Sequence, residues 1–103
     1  MAKTLVAKLS ELQPGTMKQC QVEGQDDIVV ANVGGKVYAM RGICQHAGGP
    51  LGEGTLEDAV ITCPWHGAKW DVATGKNTEF AIDLDPEPVY SVSVEGDNIY
   101  VEI

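Results

Sequence analysis

The sequence predicts an all-β fold, an antiparallel sandwich or squat barrel interrupted by a loop-rich segment. Three observations predict it. Short runs of β-branched and alternating residues, separated by turn residues, occupy both ends of the chain. Residues 41 to 80 are instead rich in glycine and poor in such runs. Finally, no amphipathic stretch of about ten or more residues indicates a helix.

The first part of the chain supplies four predicted strands, over residues 5–7, 17–22, 28–33 and 36–40. Residues 10–15, which include Pro14 and Gly15, predict a turn or a single helical turn between the first two strands. The third and fourth strands are separated only by Gly34-Gly35. Because glycine adopts positive φ readily, this pair is a strong signal for a tight hairpin.

The later part of the chain predicts three more strands. Residues 59–62 form a short apolar run that leads into Cys63. Residues 89–95 alternate between the two faces of a strand, and residues 99–103 follow after the turn Glu95-Gly96-Asp97-Asn98. The last two strands are therefore predicted to form a second hairpin.

Composition and charge limit the classes of function that the chain can have. The chain has 103 residues, the size of one domain, and a net charge of −8. No Lys or Arg follows Lys76, so the negative charge is concentrated near the end. Phosphate would be repelled by this field, which excludes a nucleic-acid partner. The acidic surface is interpreted either as a solubilising feature or as a means of steering the protein toward basic patches on redox partners.

The sequence also indicates where in the cell the protein is expected. The first twenty residues lack the apolar core of a signal peptide. No apolar run approaches the roughly 20 residues that cross a bilayer. A soluble, cytoplasmic protein without a membrane partner is therefore expected. The three cysteines are expected to form no disulfide.

The strongest chemical signal is a pair of short motifs that combine thiols with imidazoles. Cys44-Gln45-His46 is followed, after sixteen residues, by Cys63-Pro64-Trp65-His66. Both histidines of the chain and two of its three cysteines lie in these motifs. Thiolate and imidazole bind zinc, copper, non-haem iron and iron–sulfur centres. One mixed pair on each of two loops suits a centre with two metal ions that is held by both loops.

Three interpretations of the motifs are open. The four residues are incidental, or they form a structural Cys₂His₂ zinc site, or they bind a Rieske 2Fe–2S cluster. Zinc motifs usually place two cysteines close together and two histidines close together, whereas here each loop carries one of each. The mixed spacing favours the cluster.

The motifs and their separation resemble those of Rieske ferredoxins that serve bacterial ring-hydroxylating oxygenases. Three segments carry the resemblance: residues 44–51 (CQHAGGPL), 52–54 (GEG) and 63–71 (CPWHGAKWD). The similar region ends at Thr74-Gly75. It implies a single Rieske domain over residues 1–103, with a cluster-binding subdomain at about 41–80 inserted in a β base. It also implies that Cys44 and Cys63 bind the inner iron of one 2Fe–2S cluster, and that His46 and His66 bind the outer iron.

The same resemblance implies an electron carrier and not an enzyme. Such a protein takes one electron from a reductase of the flavoprotein type and passes it to a terminal oxygenase. Two alternatives are a small Rieske subunit of a nitrite reductase and a zinc-stabilised interaction module. High-potential Rieske proteins have a serine and a tyrosine where this chain has Ala68 and Trp70, so the absent hydroxyls predict a potential in the lower part of the Rieske range.

Five further features can be interpreted from the sequence. Cys20 is expected in the core, and Trp70 beneath the cluster loops. Asp71 with Thr74-Gly75 is expected to form a turn. Trp65 is interpreted as core packing or as part of a docking face. Residues 85–88 are interpreted as a connector or, from the resemblance, as a loop that covers the cluster from a third side.

Overall fold

The computed structural model describes residues 3–22, 24, 27–43, 50–64, 69–76 and 89–102. Several predicted features lie outside these residues, namely Cys44, His46, Trp65, His66 and the loop at 85–88. The described residues form two antiparallel sheets, which confirms the all-β prediction. They contain no helix that is long and apolar enough to cross a membrane.

The strands are β1 (Lys3–Lys8), β2 (Met17–Cys20), β3 (Ile28–Val33), β4 (Lys36–Arg41), β5 (Thr55–Glu57), β6 (Val60–Thr62), β7 (Lys69–Asp71), β8 (Val89–Glu95) and β9 (Asn98–Glu102). Six of them form one sheet in the order β1-β9-β8-β4-β3-β2, and β5-β6-β7 form a second sheet. Two 3-10 turns lie at Leu9–Glu11 and Leu51–Glu53.

Both predicted hairpins are present. Val33 pairs with Lys36 across Gly34 and Gly35, whose φ angles are 61° and 99°. Two successive residues with positive φ give the turn a twist that matches the flanking strands. The second hairpin joins β8 to β9, with Glu95 paired to Asn98.

Strand β3 lies between two apolar cores because both of its faces are buried. Ile28 and Val30 pack in one cluster with residues of β1, β2, β4 and β9. Val29 and Ala31 point to the other side and pack in a second cluster with Leu51, Ile61 and Trp70. Side chains alternate along a strand, so a single continuous apolar run can support two layers. The second sheet thereby packs directly on β3, which lies next to the edge strand β2 of the larger sheet.

The prediction was incomplete in the middle of the chain. It missed strands β5 and β7 and began β6 one residue early, at position 59. Each of these strands has only three residues, and their pairing comes from the fold more than from local propensity. Strand β2 also ends at Cys20, two residues before the predicted position, because its partner β3 begins at Ile28, opposite Cys20.

Candidate metal centre

The first motif lies in a segment, here called the first loop, whose flanking residues are joined by backbone contacts. Ile43 and Pro50 form an antiparallel bridge, and the Leu51 N–H donates to the Gly42 carbonyl oxygen at 2.8 Å. Residues 44–49, which include Cys44 and His46, lie between these contacts and outside the described residues. The chain therefore enters and leaves this loop at one point.

The second motif lies on a loop of the same kind. Strands β6 and β7 are antiparallel, and their last pair is Thr62 with Lys69. The chain between them carries Cys63 and His66. In both loops the cysteine directly follows a bridged residue, Ile43 in the first and Thr62 in the second. Each predicted thiol ligand therefore comes directly after a residue that the sheet or the bridge holds in place.

Strand β5 follows the exit from the first loop and pairs with the end of β6 that leads into Cys63. The chain leaves the first loop at Pro50, passes through the 3-10 turn, and pairs Thr55 with Thr62 at the end of β6. Gly54 lies beside the entry to the second loop, where an added Cβ would overlap the Thr62 carbonyl oxygen and lie 3.2 Å from Cδ of Pro64. Only glycine permits this close approach of backbones.

Gln19 of β2 ties together the two sides of the first loop. Its Nε2 donates to the Gly42 carbonyl oxygen at 3.0 Å and to Oδ2 of Asp27 at 3.4 Å. Its Oε1 accepts from the Gly52 N–H at 2.7 Å. The sequence analysis missed this residue, because a glutamine in an alternating strand carries no motif. A Cβ on Gly42 would lie only 2.7 Å from the nearest Gln19 atom, and a Cβ on Gly52 only 2.6 Å. Both positions therefore need glycine to make room for Gln19.

Cys63 is the one predicted ligand among the described residues, and it is almost dry. Its exposure is 2%, and it belongs to the apolar cluster that contains Leu51, Ile61 and Trp70. This burial agrees with the expectation that Trp70 packs beneath the loops. An apolar surrounding limits the access of water to a sulfur ligand.

The turn after β7 is built as predicted. Oδ1 of Asp71 accepts from the backbone N–H groups of Ala73 and Thr74, at 2.8 and 3.3 Å. Gly75 has φ of 78°, and its N–H donates to the Asp71 carbonyl oxygen. These contacts hold the end of β7 and therefore the exit of the second loop.

Cys20 lies in the other core and has the properties of a structural thiol. It is 5% exposed and packs with Ile28 and Val30, as expected for a core cysteine. Burial raises its pKa, and the nearby Lys18 opposes this shift only in part. A thiol with a raised pKa is a poor metal ligand near neutral pH, because binding requires the thiolate.

The described residues contain no group of three or more His, Cys, Asp or Glu side chains that could hold a metal ion. Three of the four predicted ligands lie outside these residues, so the fit of a cluster is judged from the framework. Two closed loops, a dry Cys63 and close backbone packing at Gly54 fit a site with one thiol and one imidazole from each loop.

A protein-family model agrees with a 2Fe–2S centre in this chain. The model described as the Rieske [2Fe-2S] domain matches residues 2–100. Over 103 residues the chain is 39% identical to the ferredoxin component of biphenyl 2,3-dioxygenase from Rhodococcus jostii (strain RHA1). That match covers all of this chain and 94% of the relative.

Solved structures show the same fold. The ferredoxin of carbazole 1,9a-dioxygenase from Nocardioides aromaticivorans IC177 matches with a TM-score of 0.88 and 35% identity, over 98% of this chain and 97% of that one. A chain in a complex of reduced oxygenase and oxidized ferredoxin in carbazole 1,9a-dioxygenase matches with a TM-score of 0.89 and 34% identity. The match covers 96% of this chain and 91% of that chain.

Proposed function

Since the chain belongs to the Rieske [2Fe-2S] domain family, we propose that it carries single electrons to the terminal oxygenase of a ring-hydroxylating dioxygenase system. The observation that carries this proposal is the match between all of this chain and 94% of a relative that is itself a ferredoxin component. A nitrite reductase subunit is not favoured, because the similar proteins are dioxygenase ferredoxins.

We propose that Cys44 and Cys63 bind one iron of the 2Fe–2S cluster and that His46 and His66 bind the other. The backbone pairing beside each motif supports this, because each proposed thiol directly follows a bridged residue in the chain. Such a cluster supplies a one-electron couple at about −150 to +300 mV, compared with about −400 mV for plant-type ferredoxins. A zinc-stabilised module does not fit the family, whose model describes a 2Fe–2S domain.

The chain's own residues position and insulate this centre. Gln19 and Gly54 hold the two loops against the β framework, and the apolar cluster around Cys63 keeps water from its sulfur. We propose that residues at about 41–80 act as the cluster-binding subdomain and that the six-stranded sheet is its base within one domain over 1–103. The packing of the second sheet on β3 supports this division.

The proposed partners are a reductase, of the flavoprotein type, and a terminal oxygenase. A similar chain has been solved in a complex with an oxygenase, which supports the second partner. The net charge of −8 supports electrostatically steered, short-lived docking. We propose that this docking takes place in the cytoplasm. A carrier needs weak and transient contacts because it must leave after each transfer.

The test is to purify the chain without oxygen damage and to measure iron, labile sulfide and electron paramagnetic resonance after reduction with dithionite. We expect two irons, two sulfides and an average g value below that of all-cysteine clusters. Single alanine replacements of Cys44, His46, Cys63 and His66 should each abolish this signal. Cys20→Ala is the matched control and should keep it, since Cys20 lies in the other core.

A colourless protein with stoichiometric zinc would overturn the assignment of the cofactor. A loaded cluster that neither accepts electrons from a reductase nor reduces an oxygenase of this class would overturn the assignment of the function alone. Rapid mixing of the reduced chain with an oxidised biphenyl or carbazole oxygenase measures the second step directly.

A further inference from the structure

Trp70 contains a buried hydrogen-bond donor that the protein does not satisfy. Its side chain is 0% exposed, and its Nε1 has no hydrogen-bond partner in the part of the chain that the structure describes. Leaving a buried N–H unpaired costs about 1–3 kcal/mol. Native proteins rarely retain such groups without a reason, and an unseen ion or cofactor is one of the usual reasons.

The sheet places the Trp70 side chain on the same face as Cys63. Trp70 is paired with Ile61 across β6 and β7, so their side chains share one face. Cys63 is two residues beyond Ile61, and side chains two residues apart along an extended chain point to the same face. Trp70, Ile61 and Cys63 accordingly belong to one buried cluster. In antiparallel sheets, diagonal neighbours are within reach of an aromatic side chain.

We propose that the indole N–H of Trp70 donates a hydrogen bond to a sulfur of the cluster, either a cysteine thiolate or a bridging sulfide. This inference rests on the proposed function, since it requires the cluster to be bound. Tryptophan Nε1 can only donate, and the cluster sulfurs are acceptors that become more negative on reduction. The bond therefore stabilises the reduced form more than the oxidised form and raises the potential.

The proposal refines the interpretation of Trp70 from sequence. The absence of a hydroxyl at position 70 suggested that one hydrogen bond to sulfur was missing. The indole keeps a donor at that position, whereas Ala68 supplies no side-chain donor at all. The potential is then still expected in the lower part of the Rieske range, but above that of a chain with phenylalanine at position 70.

The test compares Trp70→Phe with Val72→Ala. Phenylalanine removes the donor and keeps an aromatic ring. Val72, which is 1% exposed in the same cluster, loses volume without losing a donor. We expect the equilibrium constant for reduction to fall roughly tenfold in Trp70→Phe, which corresponds to about 59 mV for one electron. Val72→Ala should change it less than about twofold, which corresponds to less than about 18 mV on the same scale.

A second measurement does not depend on the stability of Trp70→Phe. The protein is labelled with ¹⁵N-indole tryptophan, and Trp65, the other tryptophan, is replaced by phenylalanine. Pulsed electron paramagnetic resonance of the reduced protein should show coupling between the cluster spin and the indole nitrogen. Absence of this coupling, or an unchanged potential in a loaded Trp70→Phe protein, would overturn the proposal. A wild-type protein without iron and sulfide would instead overturn the proposed function.

Discussion

Gln19 offers a sharp test of how the first loop is held, because its contacts are well defined. Replacing it with leucine keeps the approximate volume and removes the amide. The Gly52 N–H then loses the acceptor at 2.7 Å, whereas the Gly42 carbonyl oxygen keeps its bond from the Leu51 N–H. The unpaired Gly52 N–H costs about 1–3 kcal/mol, and loss of the hydrogen bond from Gln19 to the Gly42 carbonyl oxygen adds about 0.5–1.5 kcal/mol. The expected cost is therefore about 2–4 kcal/mol.

This cost should appear as faster loss of the cluster. If the cluster escapes when the first loop opens, even 2 kcal/mol should raise the rate of loss by about 30-fold. The assay follows the visible absorbance of the loaded protein in excess chelator at fixed temperature. The matched control is Gln21→Leu, since Gln21 is exposed just beyond β2 and should change the rate only slightly. Equal rates in the two variants would refute the idea that Gln19 holds the loop closed.

Three other predictions follow from the structure. Gly54→Ala should prevent stable cluster binding and cost at least about 2–3 kcal/mol, because its Cβ would overlap the Thr62 carbonyl oxygen. The control is Gly15→Ala, where an added Cβ meets open space but φ is +84°. This variant should lose about 1–2 kcal/mol of stability and keep the cluster. Equal iron contents in the purified Gly54→Ala and Gly15→Ala proteins would contradict this account. Burial raises the pKa of Cys20 above its ordinary 9.0, so its contribution to stability is complete below that pH and is lost as pH rises through the folded pKa. Cys20→Val should therefore flatten the decrease in melting temperature as pH rises above about 8, and parallel curves for the two proteins would count against it. Finally, the net charge of −8 predicts that raising the ionic strength slows reduction by a reductase, and a rate that does not depend on salt would exclude electrostatic steering.

Much of the framework could be predicted from the sequence because its signals are local. Gly34-Gly35 predicts a tight turn through the backbone freedom of glycine, and the measured φ angles of 61° and 99° agree. The alternation in residues 89–95 predicts a strand, and β8 covers the same residues. The Asp71 turn is local for the same reason, since its carboxylate binds N–H groups two and three residues away.

The three-residue strands of the second sheet could not be predicted in this way. β5 and β7 have little intrinsic preference for strand, and they exist because β6 pairs with both and the sheet packs on β3. Gln19 was likewise invisible, since its partners Gly42 and Gly52 lie 23 and 33 residues away in the chain.

The sequence by itself determined which cofactor to expect, because the proposed ligands and their spacing lie in two short motifs, Cys44-Gln45-His46 and Cys63-Pro64-Trp65-His66. The tertiary structure alone decided how the loops are held together. It set Gln19 of β2 against Gly42 and Gly52, placed Gly54 against Thr62, and put Trp70 and Cys63 in one buried cluster. No local signal reports these contacts, because strand pairing brings Gln19 to residues 23 and 33 positions away, and the packing of the second sheet on β3 encloses Trp70 and Cys63.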